Sequence, residues 1–104
     1  GVYVHRGTPS GLAYDHFQTA GAEPSSIMAA DLDADGAADL VMTNQQDQDF
    51  SLLHGWGDLR FAPEMRFAAR LLPYGSAAAD FDGDGLTDLA VVGQDGVVLV
   101  YLRR

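Results

Sequence analysis

The stretch Asp31-Leu-Asp-Ala-Asp-Gly-Ala-Ala-Asp-Leu40 returns 49 residues later as Asp80-Phe-Asp-Gly-Asp-Gly-Leu-Thr-Asp-Leu89. Every acid in it, and the glycine after the third acid, is kept. A period within about 20–50 residues marks a stacked architecture in which each copy is one small structural unit. The match spreads outward from the acidic core. Upstream, Pro24 aligns with Pro73, and Ala29-Ala30 with Ala78-Ala79. Downstream, Leu52-Leu53-His54 aligns with Tyr101-Leu102-Arg103 and, one period earlier, with Tyr3-Val4-His5. Tyr14 and Phe61 are further equivalents, although the spacing between blocks drifts slightly.

Within a repeat the strand signals are short and closely spaced. Residues 26–30, 39–43, 50–54 and 61–68 read as strands of the first repeat, and 75–79, 88–92 and 97–102 as those of the second. Pro63 suits an edge position, because it has no N–H to give to a ladder. Gly93-Gln-Asp-Gly96 reads as a tight hairpin. No segment carries a helical period. The expectation is an all-β chain of two four-stranded antiparallel blades. Such units cannot bury both faces alone, and radial stacking into a β-propeller solves that. Alanine, serine and glycine in the first strand of each repeat suit the crowded axis. A two-repeat sandwich is the competing architecture.

The acidic loops concentrate four carboxylates in nine residues. Such a cluster repels itself unless a cation neutralises it. Calcium is a hard cation that takes about 6–8 oxygens from a flexible loop. Alternation aims the acids at positions 1, 3 and 5 toward one point: Asp31, Asp33 and Asp35, and again Asp80, Asp82 and Asp84. Glycine at position 6 permits the sharp turn there. The next backbone carbonyl, of Ala37 or Leu86, can face inward, and Asp39 or Asp88 closes the site. Magnesium is a tight fit for so many ligands, and zinc prefers histidine. An EF-hand begins the same way, but it needs a glutamate at position 12 and flanking helices. Position 12 is Met42 or Val91, and both flanks read as strands. Two structural Ca2+ sites are therefore expected.

Six arginines face fifteen acids, there is no lysine, and the net charge is −9. A chain this acidic is a poor partner for nucleic acid or an anionic membrane surface. Cysteine is absent, which removes disulfides, thiolate catalysis and cysteine-ligated zinc. No apolar run approaches the ~18 residues that a membrane-spanning helix needs.

Pro-Ser-Ser-Ile-Met-Ala-Ala-Asp-Leu-Asp-Ala-Asp-Gly-Ala-Ala-Asp-Leu-Val and Gly-Asp-Leu-Arg-Phe-Ala-Pro together resemble the FG-GAP/VCBS repeat. That repeat builds calcium-binding β-propellers in integrin α subunits, integrin-like lectins and many secreted bacterial proteins. The signature is recognisable at Trp56-Gly-Asp-Leu-Arg-Phe-Ala-Pro63 and weak at Gly11-Leu-Ala-Tyr14. The resemblance implies a structural metal, so that the eight loop aspartates are ligands and not catalysts. It also implies an extracellular or periplasmic setting.

Closed propellers need about four to eight blades, and two are present. Residues 1–104 are read as one two-blade unit. Residues 1–20 supply strands to a neighbouring blade, 21–69 form the first repeat, and 70–104 form an incomplete second repeat. A cyclic homo-oligomer follows, in which a trimer gives a 6-bladed and a tetramer an 8-bladed propeller. The expected function is non-enzymatic recognition of a glycan or protein ligand. The alternative is a structural or accessory segment of a larger secreted enzyme or adhesin. No nucleophile elbow or phosphate loop supports catalysis. Trp56 is a candidate sugar-stacking platform, although packing on a neighbouring blade is the simpler reading. Arg70 and Tyr74 are candidate lining residues of a pocket between blades. His5, His16 and His54 read as solvated strand ends, and Arg60 and Arg66 as solvated strand positions.

Overall fold

The computed structural model describes residues 1–18, 23–69, 72–94 and 98–101. Among these the chain is all-β, in eleven strands with no helix. Its centre is a four-stranded antiparallel sheet of β3 (Pro24–Ala30), β4 (Asp39–Asn44), β5 (Asp49–Leu53) and β8 (Met65–Ala68), in that order. The acidic loop 31–38 joins β3 to β4. Between β5 and β8 lies a small hairpin of β6 (Gly55–Gly57) and β7 (Arg60–Phe61). Asp58 and Leu59 at its tip both have positive φ, of 51° and 63°, as a tight type I′ hairpin turn requires.

The second repeat forms a three-stranded antiparallel sheet in which β10 (Asp88–Gly93) lies between β9 (Pro73–Ala79) and β11 (Val98–Tyr101). β1 (Val2–Thr8) and β2 (Gly11–Gln18) make a separate antiparallel hairpin with a bulge between Val4 and His5. The stretch 61–68, expected as one strand, is divided. β7 ends at Phe61 and β8 begins at Met65, with Pro63 in the gap where its missing N–H disturbs no ladder. Residues 95 and 96 of the expected hairpin turn, and residues 102–104, lie outside the described residues.

The three-stranded sheet packs on the four-stranded one, β9 meeting β3 and β4, and Val2 of the β1–β2 hairpin reaches the opposite face. β4, one of the two inner strands of the four-stranded sheet, is buried on both faces: Val41, Met42, Thr43 and Asn44 are all at most 1% exposed. One face packs Val41, Phe50 and Ala69 against Leu89 and Val91 of the three-stranded sheet. The other packs Met42 and Leu53 with Val2 of the hairpin and Phe61. Each fully buried aliphatic side chain of this kind contributes about 1.5–3 kcal/mol. The small first strands meet as their composition implies. Ser25 on β3 donates from Oγ to the Pro73 carbonyl of β9 at 3.0 Å. At Gly75 an added Cβ would lie 3.3 Å from Val92.

One feature falls outside the sequence expectation. Arg66 is not simply solvated, because its guanidinium bonds Glu64, Asp47 and Asp49 at 3.3–3.4 Å. Trp56 is 64% exposed on β6 within this chain.

Candidate metal centres

Both acidic loops fold by the same local rules. In the first, Asp31 accepts backbone N–H groups from Asp35 (3.2 Å) and Gly36 (2.8 Å). In the second, Asp80 accepts them from Gly83, Asp84 and Gly85 at 2.8–3.1 Å. The position-5 acids bind the loop two residues on: Asp35 accepts from Ala37 N–H and Asp84 from Leu86 N–H, each at 2.9 Å. Ala37 and Leu86 thus enter the hydrogen bonding of their loops through the backbone. The position-9 acids are buried. Asp39 accepts from Leu32 N–H at 2.9 Å and Asp88 from Phe81 N–H at 3.0 Å, and each closes its loop from the first residue of a core strand.

Turning the backbone N–H groups inward in this way leaves the remaining carboxylate oxygens to converge. In the second loop Asp80, Asp82, Asp84 and Asp88 each offer an oxygen within 4.8 Å of the others. In the first the donors fall into two overlapping groups, Asp31 with Asp33 and Asp39, and Asp33 with Asp35 and His54. Each of the eight aspartates expected at the loops lies in one of these groups, but only the second loop gathers all four of its own into one. The donor set of either loop suits a dication, and an oxygen-only set suits a hard one.

The electrostatics show the same tension twice. Asp82 is raised above the usual carboxylate range by desolvation, then by its hydrogen bond with Asp84 and by repulsion from Asp84 and Asp88. Asp33 is raised by desolvation, then by its hydrogen bond with Asp35 and by repulsion from Asp39 and Asp35. Asp80 is lowered, first by the Gly85 N–H. Asp35 is lowered, first by the Ala37 N–H. At position 3 in each loop a negative charge is thus held against its neighbours.

His54 is the residue that sequence reasoning misplaced. It lies beside the first loop, with Nδ1 2.9 Å from Asp33 Oδ2 and 3.2 Å from Asp39 Oδ1. Its Nε2 is 3.6 Å from Asp35 Oδ2. Gly55 brings it there. The Gly55 N–H donates to Asp39 Oδ1 at 2.7 Å, and a Cβ on Gly55 would fall 1.9 Å from the Ala38 carbonyl oxygen. Only glycine lets this backbone approach the loop so closely. The sequence equivalent of His54 is Arg103, outside the described residues.

The other candidate residues are more scattered. Trp56 projects from β6, and Tyr74 is 47% exposed on β9. No ring contact joins them among the described residues, and Arg70 lies outside those residues. His5 stacks edge-on to Tyr14 at 5.7 Å, while His16 lies against the Asp15 carboxylate.

A family model for the FG-GAP-like repeat matches residues 31–91. No curated protein and no solved structure matches the chain.

Proposed function

The chain belongs to the FG-GAP-like repeat family, and on that premise we propose that it is a calcium-stabilised β-propeller module used for recognition of a glycan or protein ligand. The observation that carries this reading is the duplication of the acidic loop. In the second copy all four acids converge, in the first they fall into two overlapping groups, and in both the loop backbone is already tied in place. Calcium supplies the positive charge that these carboxylates lack, and no bond-making step is assigned to it. Bound there, it braces the connection between the first two strands of each blade. The module is non-enzymatic.

The stack of three sheets is the start of a propeller ring. Its outer layers are the hairpin and the three-stranded sheet, and further blades join there, from longer sequence or from copies in a cyclic trimer or tetramer. In that assembly residues 1–20 serve a neighbouring blade, and 21–69 and 70–104 are the two repeats. An extracellular or periplasmic setting fits the family. No helix among the described residues is long and apolar enough to cross a membrane.

Exposed Trp56 is the platform proposed to stack a sugar ring. The test is a glycan array probed with the calcium-loaded protein and with Trp56→Ala. Binding that the variant loses supports recognition through this site. Absence of binding to every glycan shifts the reading to a structural or accessory segment of a larger secreted enzyme or adhesin.

A further inference from the structure

The tip of the β6–β7 hairpin faces the acidic loop 31–38 across a cleft of about 280 Å3, at the small end of the range for ligand pockets. The loop presents Ala37 and Ala38 to this cleft rather than its aspartates, and the hairpin presents Asp58, Leu59, Arg60 and Phe61. The hairpin tip is held in a costly shape. Leu59 sits at φ 63° after Asp58 at φ 51°, in a turn that favours Asn-Gly. A bulky residue in the left-handed region is an outlier, and such strain clusters at functional sites. The charges beside the cleft are unequally matched. Asp58 is bound by Arg6 at 3.0 Å, and Arg66 is held by Glu64, Asp47 and Asp49. Arg60 is exposed and forms no ion pair among the described residues. Its charge reaches Asp15, but that carboxylate already meets His16 and Arg6.

In a chain with fifteen acids and six arginines, a guanidinium without an acid of its own is open to a carboxylate from outside. The guanidinium fork matches that group through two parallel hydrogen bonds. Leu59 and Phe61 are half-buried and give the cleft the apolar lining that the hydrocarbon face of a sugar ring needs. We propose that the cleft binds one uronic acid residue of a glycan, with its carboxylate on Arg60 and its ring against Leu59. This deepens the recognition reading given above and rests on its glycan arm, while using none of the residues assigned to the Trp56 platform. The competing occupant is an acidic side chain of a protein ligand.

The probes are glucuronate, glucose and N-acetylglutamate, each titrated into the full chain in calcium and followed by NMR. Glucuronate should bind, and glucose should bind about 10-fold more weakly, the factor expected from losing a hydrogen bond to a charged group. Arg60→Gln should weaken glucuronate binding by a similar factor. Leu59→Gly relieves the strained turn and removes the apolar wall, so it should raise the Tm while weakening glucuronate binding, as expected of a residue kept for a ligand at some cost in stability. Equal affinity of wild type and Arg60→Gln for glucuronate overturns the proposal. So does tighter binding of N-acetylglutamate than of glucuronate, which assigns the cleft to an acidic peptide. A Leu59→Gly chain with a lower Tm and unchanged binding also overturns it. Glycan binding that requires Trp56 and ignores the carboxylate overturns this inference and leaves the recognition reading standing. Arg60-dependent glucuronate binding that survives Trp56→Ala overturns the Trp56 platform and leaves this inference standing.

Discussion

Loops 31–39 and 80–88 carry the same acids in the same places and still differ in two physical respects. At the fourth position the second loop has Gly83 at φ 77°, whereas the first has Ala34 at φ 59°. A side chain in that left-handed region carries a cost of about 1–2 kcal/mol, which glycine avoids. The second difference is the company each loop keeps. Four carboxylates converge in the second loop, while His54 divides the donors of the first. A repeated motif therefore fixes the hydrogen bonding of a loop, and the element packed beside it decides the donor set.

The largest expected effect lies in that neighbouring element. Gly55→Ala forces a Cβ into the Ala38 carbonyl oxygen. It should destabilise the chain by about 3 kcal/mol, the upper part of the usual overpacking range, as measured by denaturant unfolding. Metal uptake at the first loop should fall with it, while the second loop keeps its own. Equal loss at both loops would mean that they are not separate sites.

The next effect is conformational. Ala34→Gly should stabilise the metal-free chain by about 1 kcal/mol, and Gly83→Ala should destabilise it by a similar amount. Unfolding in chelator reads both, and changes of the same sign would erase this distinction between the loops.

The smallest effect changes sign. Asp82 is held above the usual carboxylate range in the fold, so its ionisation opposes folding once the pH exceeds the ordinary aspartate value. Asp82→Asn should therefore slightly stabilise the metal-free chain at neutral pH, and that gain should fade as the pH falls below the ordinary aspartate value. In saturating calcium the same substitution should destabilise, because it removes a ligand. A variant less stable than wild type in both conditions would contradict this electrostatic picture.

Much of this was legible in the sequence because it is local. The spacing of Asp31, Asp33, Asp35 and Asp39 dictates which backbone N–H groups each acid can reach. The apolar runs beginning at Asp39 and Asp88 dictate where the buried strands start. The role of His54 was not legible. In the sequence it aligns with His5 and Arg103, and only the packing of Gly55 on Ala38, a contact across the fold, turns it toward the acids. The division of 61–68 was half legible, since Pro63 marked the weak point without saying that the strand would break there. The exposure of Trp56 depends on which sheet stacks beside β6, and no local pattern encodes that.

Thermal unfolding of the full chain in chelator and in saturating calcium tests most directly whether the acidic loops are metal sites. Calcium at about 100 times the dissociation constant should add about 2.7 kcal/mol for each occupied loop. For a chain of this size that corresponds to a rise in Tm of more than about 10 °C. Coincident unfolding curves in chelator and in calcium would contradict it.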